Sequence, residues 1–459
     1  MDRSNKKMGL YPKGMDRRTF LKTSTAASVA LAFGLPGMSW ADAHDHMLSK
    51  FLTADVDWKA HAGETIVLGA MEHPWTQSIA PVLPLFEKLT GIKVKLQKQS
   101  ETEYVGEMPV KLGAGSPEPD VMMVHALGQF ISSGWLEPLE EYYSNRALFD
   151  AGWYDADDIF SMANEFPVWS DKVRYSMAVT AEAQTMFCNT KAFEKAGLAI
   201  PKTYDQVYEA ATKLKSNQMA GIVLRSKSDG TAGTWPCGGF LFSYGGEVIK
   251  DGRCVLDSDQ AIAAIDMYGR LLKDAGPLGV GNYHWYEVLN DFSAGAAAIA
   301  MDSSNFATDF QNPEKSLVHD STTYSAMPTH GNHSAKANIW TWQAGINRHS
   351  KKKQAAFLLL TFLNSKPGCA LTSANGLATI RNSAWDSKAF KDRFGVDAAQ
   401  AALANLNSGD AEVFKACWFH PKAAQILDAW GIAINEVATG AKTSKAAMTT
   451  ATNKINDIL

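Results

Sequence analysis

The chain has 459 residues, 46% of them apolar and 20% charged, which is enough for two or three domains with cores of their own and excludes a disordered chain. Its 44 basic residues against 48 acidic ones give a net charge of −4, which removes the electrostatic case for nucleic acid or an anionic membrane as the main partner.

The first predicted element is a processing segment. Residues 16–22 read Asp-Arg-Arg-Thr-Phe-Leu-Lys, followed by the small-residue apolar run TSTAASVALAFGLPGM and the small-x-small site Ala41-Asp42-Ala43. This order resembles a bacterial twin-arginine export signal, which implies passage through the twin-arginine translocase to the periplasm. The apolar run is too short and too rich in Ala and Ser to span a bilayer well. Residues 1–43 are therefore set aside as a signal, and because they carry seven of the basic residues and three of the acidic ones, the remainder is more acidic than the whole.

Beyond it, residues 64–70 (ETIVLGA) and 91–97 (GIKVKLQ) read as strands. Between them, Ile79, Val82, Leu83 and Phe86 recur at helical spacing before Gly91, while Pro81 and Pro84 oppose an early start. Strand, helix, strand is a βαβ unit. A helix is expected over 102–113, and VMMVHA (121–126) reads as a buried strand. Amphipathic helices follow at 204–214 and 259–276, with strand candidates YSMAVTA, AAAIAM and WTWQAGI between helices. From residue 351 onward the chain is mostly helical, and it contains no internal repeat. The five cysteines, Cys188, Cys237, Cys254, Cys369 and Cys417, are odd in number and lack CxxC or zinc-like spacing. Cys237 and Cys254 are placed to pair across a hairpin, but buried free thiols are the expected state.

Five segments in order, EKLTGIKVKLQ, GAGSPEPDVMMVHALGQFISSGWLEPLEEYY, NTKAFEKAGLAIPKTYDQVYEAATKL, FSAGAAAIAMDSS and WQAGINRHSKKKQAAFLLLTFLNSK, resemble the family 1 extracellular solute-binding proteins of bacterial ABC importers over about residues 64–385. The stretch NYHWYEVLNDFSAGAAAIAMDSS, with GIVLRSKSDG before it and NIWTWQ after it, most resembles the branch that carries sugar alcohols and small sugars. The resemblance implies an α/β fold of two lobes, each a mixed sheet flanked by helices, joined by crossing strands around a ligand cleft. By position, lobe one would be 64–178 with 345–383 and lobe two 179–344 with 384–459. The crossings would fall near Met177 to Thr180, near Trp342 to Ile346, and after GLATIRNSA.

On a continuous strand Trp340 and Trp342 would share one face, since side chains repeat every two residues. Two indoles beside a cleft suit the C–H patches of a sugar or polyol, and they suit a lobe core equally. Glu182 and Arg225 are candidates to read hydroxyls as acceptor and planar donor, alternatives to a solvated carboxylate and a surface cation. Asp302 ends a strand and would either face the ligand or cap the next helix. His125, Trp75, Trp285 and Tyr286 occupy positions that line the cleft in the resembled proteins, and Arg381 matches a position near the third crossing. The expected partners are a neutral sugar or polyol and a membrane permease. The protein is expected to be a monomer, with no cofactor, metal or catalytic residue. Arg225 with Arg381 keeps an anionic cargo open. An exported oxidoreductase would want GxGxxG after the first strand, a cysteine cluster or CxxCH, and none is present. A hydrolase lacks GxSxG, although distant paired carboxylates stay open, and HGNH at 330–333 is a weak metal pair.

Overall fold

A computed structural model describes residues 40–230, 232–409 and 416–459. The paired arginines and nearly all of the expected export signal lie outside the described residues; its last positions begin the helix Trp40–Phe51.

Two mixed sheets organise the chain. The first takes β1 (Thr65–Met71), β2 (Lys93–Gln99), β3 (Val121–Val124), β4 (Met177–Ala178) and β12 (Gln343–Ile346) in the order β2-β1-β3-β12-β4. Here β1 runs parallel to β2 and β3, and β12 antiparallel to β3 and β4. The second is built from β5 (Glu182–Asn189), β6 (Ala220–Val223), β9 (Ala297–Ser303) and β10 (Thr322–Ser325) in the order β10-β5-β9-β6, with the short β11 (Ile339–Trp340) also on β5. A small hairpin, β7 (Ile249–Lys250) with β8 (Arg253–Cys254), stands apart.

The burial patterns follow from these positions. All four residues of VMMV are buried because β3 is central and covered on both faces. On β5, Met186 and Cys188 enter one core cluster and Phe187 the opposite one, the two-residue alternation of a strand covered on both sides. The expected helix before Gly91 is two helices, Pro74–Ile79 and Leu83–Thr90. Pro81 supplies no amide hydrogen at the junction, Pro84 sits in the first turn of the second helix, and Gly91 at φ 77° closes it.

Each sheet carries its own core. The first lobe's core includes Met47, Phe51 and Trp58, so the chain joins this lobe well before residue 64, and Ala344 places the return into it at the start of β12. Phe166, from the first lobe's stretch of sequence, packs instead in the second lobe's core against Trp340. Three segments pass between the lobes. Residues 179–181 link β4 to β5, and residues 341–342 link β11 to β12. The third lies around the GLATIRNSA stretch: Leu377, Ile380 and Ala384 pack in the first lobe's core, whereas Trp385 and Phe390 pack with Ala181 and Ala307, and Ala181 N–H donates to Ala378 O at 2.9 Å and Phe160 N–H to Ile380 O at 2.9 Å. The first two crossings are bonded to each other, Val179 N–H donating to Trp342 O at 2.7 Å and Trp342 N–H to Thr180 Oγ1 at 3.0 Å. WTWQAGI is therefore not one strand; it breaks at the crossing.

All five cysteines are free and buried. His330 stacks on Tyr244 with centroids 3.6 Å apart, and no cluster of three metal-ligating side chains occurs among the described residues. No helix among them is long and apolar enough to cross a membrane.

Candidate functional site

The lobes meet around a narrow cavity of about 50 Å³. Strand direction explains its lining. In the first lobe, His73 and Glu101 follow the carboxyl ends of the parallel strands β1 and β2, and His125 directly follows β3. In the second, Arg225 follows β6 and Ser303 ends β9, which is parallel to it, while Glu182 starts the antiparallel β5 and so reaches the same edge. Ligand sites of open α/β sheets form at that edge, where loops diverge from the strands.

Five indoles, Trp235, Trp285, Trp340, Trp342 and Trp418, supply most of the apolar wall. Trp340 and Trp342 do share the cavity, although the strand breaks between them: their rings are 5.6 Å apart at 86°. Trp340 also packs on Trp418 at 4.9 Å and belongs to the second lobe's core, so it is both wall and core. Trp342 is half-buried and meets His73 edge-on at 5.3 Å.

The polar groups are arranged among these rings. Glu182 Oε1 accepts from Thr180 Oγ1 at 2.9 Å and its Oε2 from Ser303 Oγ at 2.6 Å, while His73 Nε2 from the other lobe faces Oε1 at 3.5 Å. Burial pushes the Glu182 carboxyl up to about 7, against its hydrogen bonds and the Arg225 charge. His73 caps the helix Pro74–Ile79, its Nδ1 accepting from Trp75 N–H at 3.1 Å. Burial, aided by Arg225, lowers its pKa to about 3, and burial alone lowers that of His125 to about 4, so both rings are neutral at pH 7. His125 Nδ1 and Trp235 Nε1 are buried at the wall and bond to no protein group among the described residues.

Arg225 is held by Asp302: Nε donates to Oδ2 at 2.7 Å and Nη2 to Oδ1. Burial opposes the guanidinium charge, and the Asp302 carboxylate more than restores it. Asp302 itself is fully buried and does not reach the cavity wall, so its role is counter-ion to Arg225, and the cap of the following turn is Ser303.

Trp285 opens the helix Trp285–Ser293 at the rim and stacks on Tyr286, centroids 3.7 Å apart. Its Nε1–H donates across the cleft to Glu101 Oε2 at 2.9 Å, and Glu101 N–H donates to Tyr286 Oη at 3.4 Å. Tyr286 thus sits behind Trp285 and reaches the first lobe without lining the cavity.

Besides Asp302 and Tyr286, two expected site residues lie away from the cavity. Trp75 is 1% exposed in the first lobe's core, because the helix beginning at Pro74 turns it inward and leaves His73 and Pro74 on the cavity. Arg381 is fully buried away from the cleft, donating to the carbonyls of Asn364, Asp155 and Tyr154 at 2.7–2.8 Å and stacking over the Tyr154 ring. It ties a helix end to a loop. Sequence reading also missed His73, Glu101, Trp235, Ser303, Phe306 and Trp418 at the wall. The first two were findable as residues just past strand ends; Trp418 carries no local signal.

Residues 73–368 match the family model described as bacterial extracellular solute-binding protein. The erythritol/L-threitol-binding protein of Mycolicibacterium smegmatis is 25% identical over 359 residues, covering 73% of this chain and 74% of that one. The mannitol-binding protein of Pseudomonas aeruginosa is 24% identical over 255 residues, 54% of this chain and 56% of its own. Among solved structures, an ABC transporter solute-binding protein from Agrobacterium radiobacter in complex with ribitol superposes with a TM-score of 0.79 at 20% identity, covering 87% of this chain and 99% of that one. One from Agrobacterium vitis with bound D-mannitol gives 0.76 at 23% identity, with coverage of 86% and 98%. The match begins at His73 on the cleft wall and runs past the second crossing, the lobes follow the periplasmic-binding-protein fold, and the chain belongs to the bacterial extracellular solute-binding protein family, carriers for ABC importers rather than enzymes.

Proposed function

We propose that the protein captures a small neutral polyol, a sugar alcohol, in the interlobe cleft and hands it to the permease of an ABC importer. It would do so as a periplasmic monomer exported by the twin-arginine route. The observation that carries the polyol reading is the combination of five indoles with a set of acceptor and donor groups and no unpaired arginine on one cavity. Indoles cover C–H patches, while Glu182 accepts, Arg225 donates, and His125 Nδ1 and Trp235 Nε1 offer polar atoms with no protein partner among the described residues. The relatives named for erythritol, threitol and mannitol support the same class.

An anionic sugar derivative is disfavoured. Arg225 already has Asp302 as its counter-ion, Arg381 lies outside the cleft, and Glu101 and Glu182 would face the added negative charge. Contact of one ligand with both lobes favours the closed form by its differential affinity for the two states. Calorimetric titration of the protein from His44 onward with erythritol, threitol, ribitol and mannitol, beside sugar phosphates and polyamines, tests this. Binding confined to one neutral stereochemical set is expected. Binding of only charged compounds overturns the polyol reading.

A further inference from the structure

Glu101 is the first residue of the helix Glu101–Gly113 on the first lobe, held there by a capping box in which Ser100 Oγ accepts from Glu103 N–H and Glu103 accepts from Ser100 N–H. Its carboxyl is covered from the second lobe. Trp285 Nε1–H donates to it at 2.9 Å, and Tyr286, stacked on that indole, accepts from its backbone N–H at 3.4 Å. Beside it, Lys227 Nζ approaches Thr102 Oγ1 at 3.5 Å. These contacts exist only while the lobes are together, because their partners sit on different sheets.

The enclosed carboxyl has little charge compensation. Of the groups that face it, Arg225 is already paired with Asp302, Glu182 and Asp229 are acidic, and Lys227 is paired with Asp229 at 3.0 Å. His73 and His125, on the same cavity, are held neutral by burial. Among the described residues, the Arg225 charge and the indole donor are the main groups that oppose the cost of taking this carboxylate out of water.

We propose that Glu101 is a positioning residue that fixes Trp285 over the cleft and couples closure of the lobes to uptake of a proton. This rests on the solute-carrier reading and adds its regulation. Burial pushes the enclosed carboxyl from its usual 4.5 up to about 7, whereas in an opened cleft it returns to water and to its usual range. The sign follows. Between those values the open form is ionised and the closed form protonated, so closing takes up a proton and weakens as pH rises; above the upper value both forms are ionised and the dependence ends. One such group raises Kd by about twentyfold between about pH 5.5 and 7.5. Glu182, also raised to about 7, adds to the slope in so far as opening uncovers it from His73.

The test is Kd against pH from about 5 to 8 for whichever of erythritol, ribitol and mannitol binds, in the wild type and in Glu101→Gln. The amide keeps an acceptor for Trp285 and removes the proton. The expected result is a Kd that rises with pH in the wild type and at least several-fold less in the variant, with the wild type weaker by about fourfold near pH 5 and the gap widening as pH rises. Equal slopes overturn the proposal. Small-angle scattering of both unliganded proteins gives an independent arm: the wild type should become more compact at pH 5.5 than at pH 8, and Glu101→Gln should not. If no polyol binds at any pH the polyol reading fails, and the scattering arm alone decides this one, a pH-independent radius in the wild type overturning it.

Discussion

Replacing Trp342 by Ala removes an indole that is half-buried on the cavity wall, edge-on to His73 and Trp340 and at the margin of both lobe cores. Because it lies inside neither core, the larger loss falls on the ligand, and affinity for the polyol should drop by about tenfold or more, the scale of one lost aromatic contact with its buried area. Melting of the unliganded protein should move by only a few degrees, and calorimetry with thermal melting checks both. Arg381 is the opposite case. Arg381→Ala strips donors from three carbonyls and takes from Asp158 the guanidinium at 3.4 Å, leaving it only its Ser383 donors, so it should cost about 3 kcal/mol or more of stability. Chemical denaturation reads that loss, while Kd measured on the folded fraction should stay within about twofold, because the side chain is remote from the cleft. Two arginines that look equivalent in the sequence therefore separate by environment: Arg225 past a strand end with a carboxylate behind it, Arg381 wholly enclosed among carbonyls.

Strand ends and helix starts set the side chains around the ligand. The parallel strands β1, β2 and β3 release His73, Glu101 and His125 at one edge, and in each case the chain then enters a helix. Ser100→Ala breaks the capping box that starts the helix Glu101–Gly113 and should cost about 1 kcal/mol of stability. Because it loosens the frame of Glu101 without altering its chemistry, polyol affinity should weaken by a few-fold at every pH with an unchanged pH slope. A titration of Kd against pH distinguishes that outcome from the Glu101→Gln result. The broken strand around Trp340 and Trp342 belongs to this scale as well. The alternation that predicted a shared face is lost at Thr341, yet both rings reach one cavity because the crossing lies at its floor.

Closure of the two lobes is limited by the closest approach of their backbones. The helix Leu127–Ser132 of the first lobe meets the 416–422 segment of the second at Gly128, where an added Cβ would stand 2.0 Å from Phe419 O. Gly128→Ala leaves the helix able to form, since Ala is the better helix residue, and should wedge the lobes apart in their closed form. The expected outcome is a polyol Kd raised by more than about tenfold with the melting temperature of the unliganded protein unchanged or slightly raised. Small-angle scattering of the liganded variant should remain closer to the open than to the closed wild type. A variant that binds and closes as the wild type does would mean that the 416–422 segment gives way.

Local pattern was enough for the sequence to determine the elements: period-two runs at 64–70 and 91–97, the apolar VMMV, and amphipathic helices at 204–214 and 259–276 reappear with ends shifted by a few residues. The order of the segments also pointed to the family, since each motif reflects a lobe's own packing. Of the ten candidate side chains, Glu182, Arg225, His125, Trp285, Trp340 and Trp342 reach the cavity, five of them because residues at or just past strand ends are displaced to that edge and Trp285 because it opens a helix at the rim. What the tertiary structure alone decided depends on pairs far apart in the chain. Asp302 is a counter-ion because Arg225, 77 residues away in the chain, lies just past the end of the neighbouring strand. Glu101 matters because Trp285, 184 residues on, covers it. Trp418 reaches the cavity through the fold of the C-terminal helices. Periodicity carries information about which face is buried; it carries none about which distant charge or ring will share that burial, and that sharing sets the charge state and the shape of the cleft.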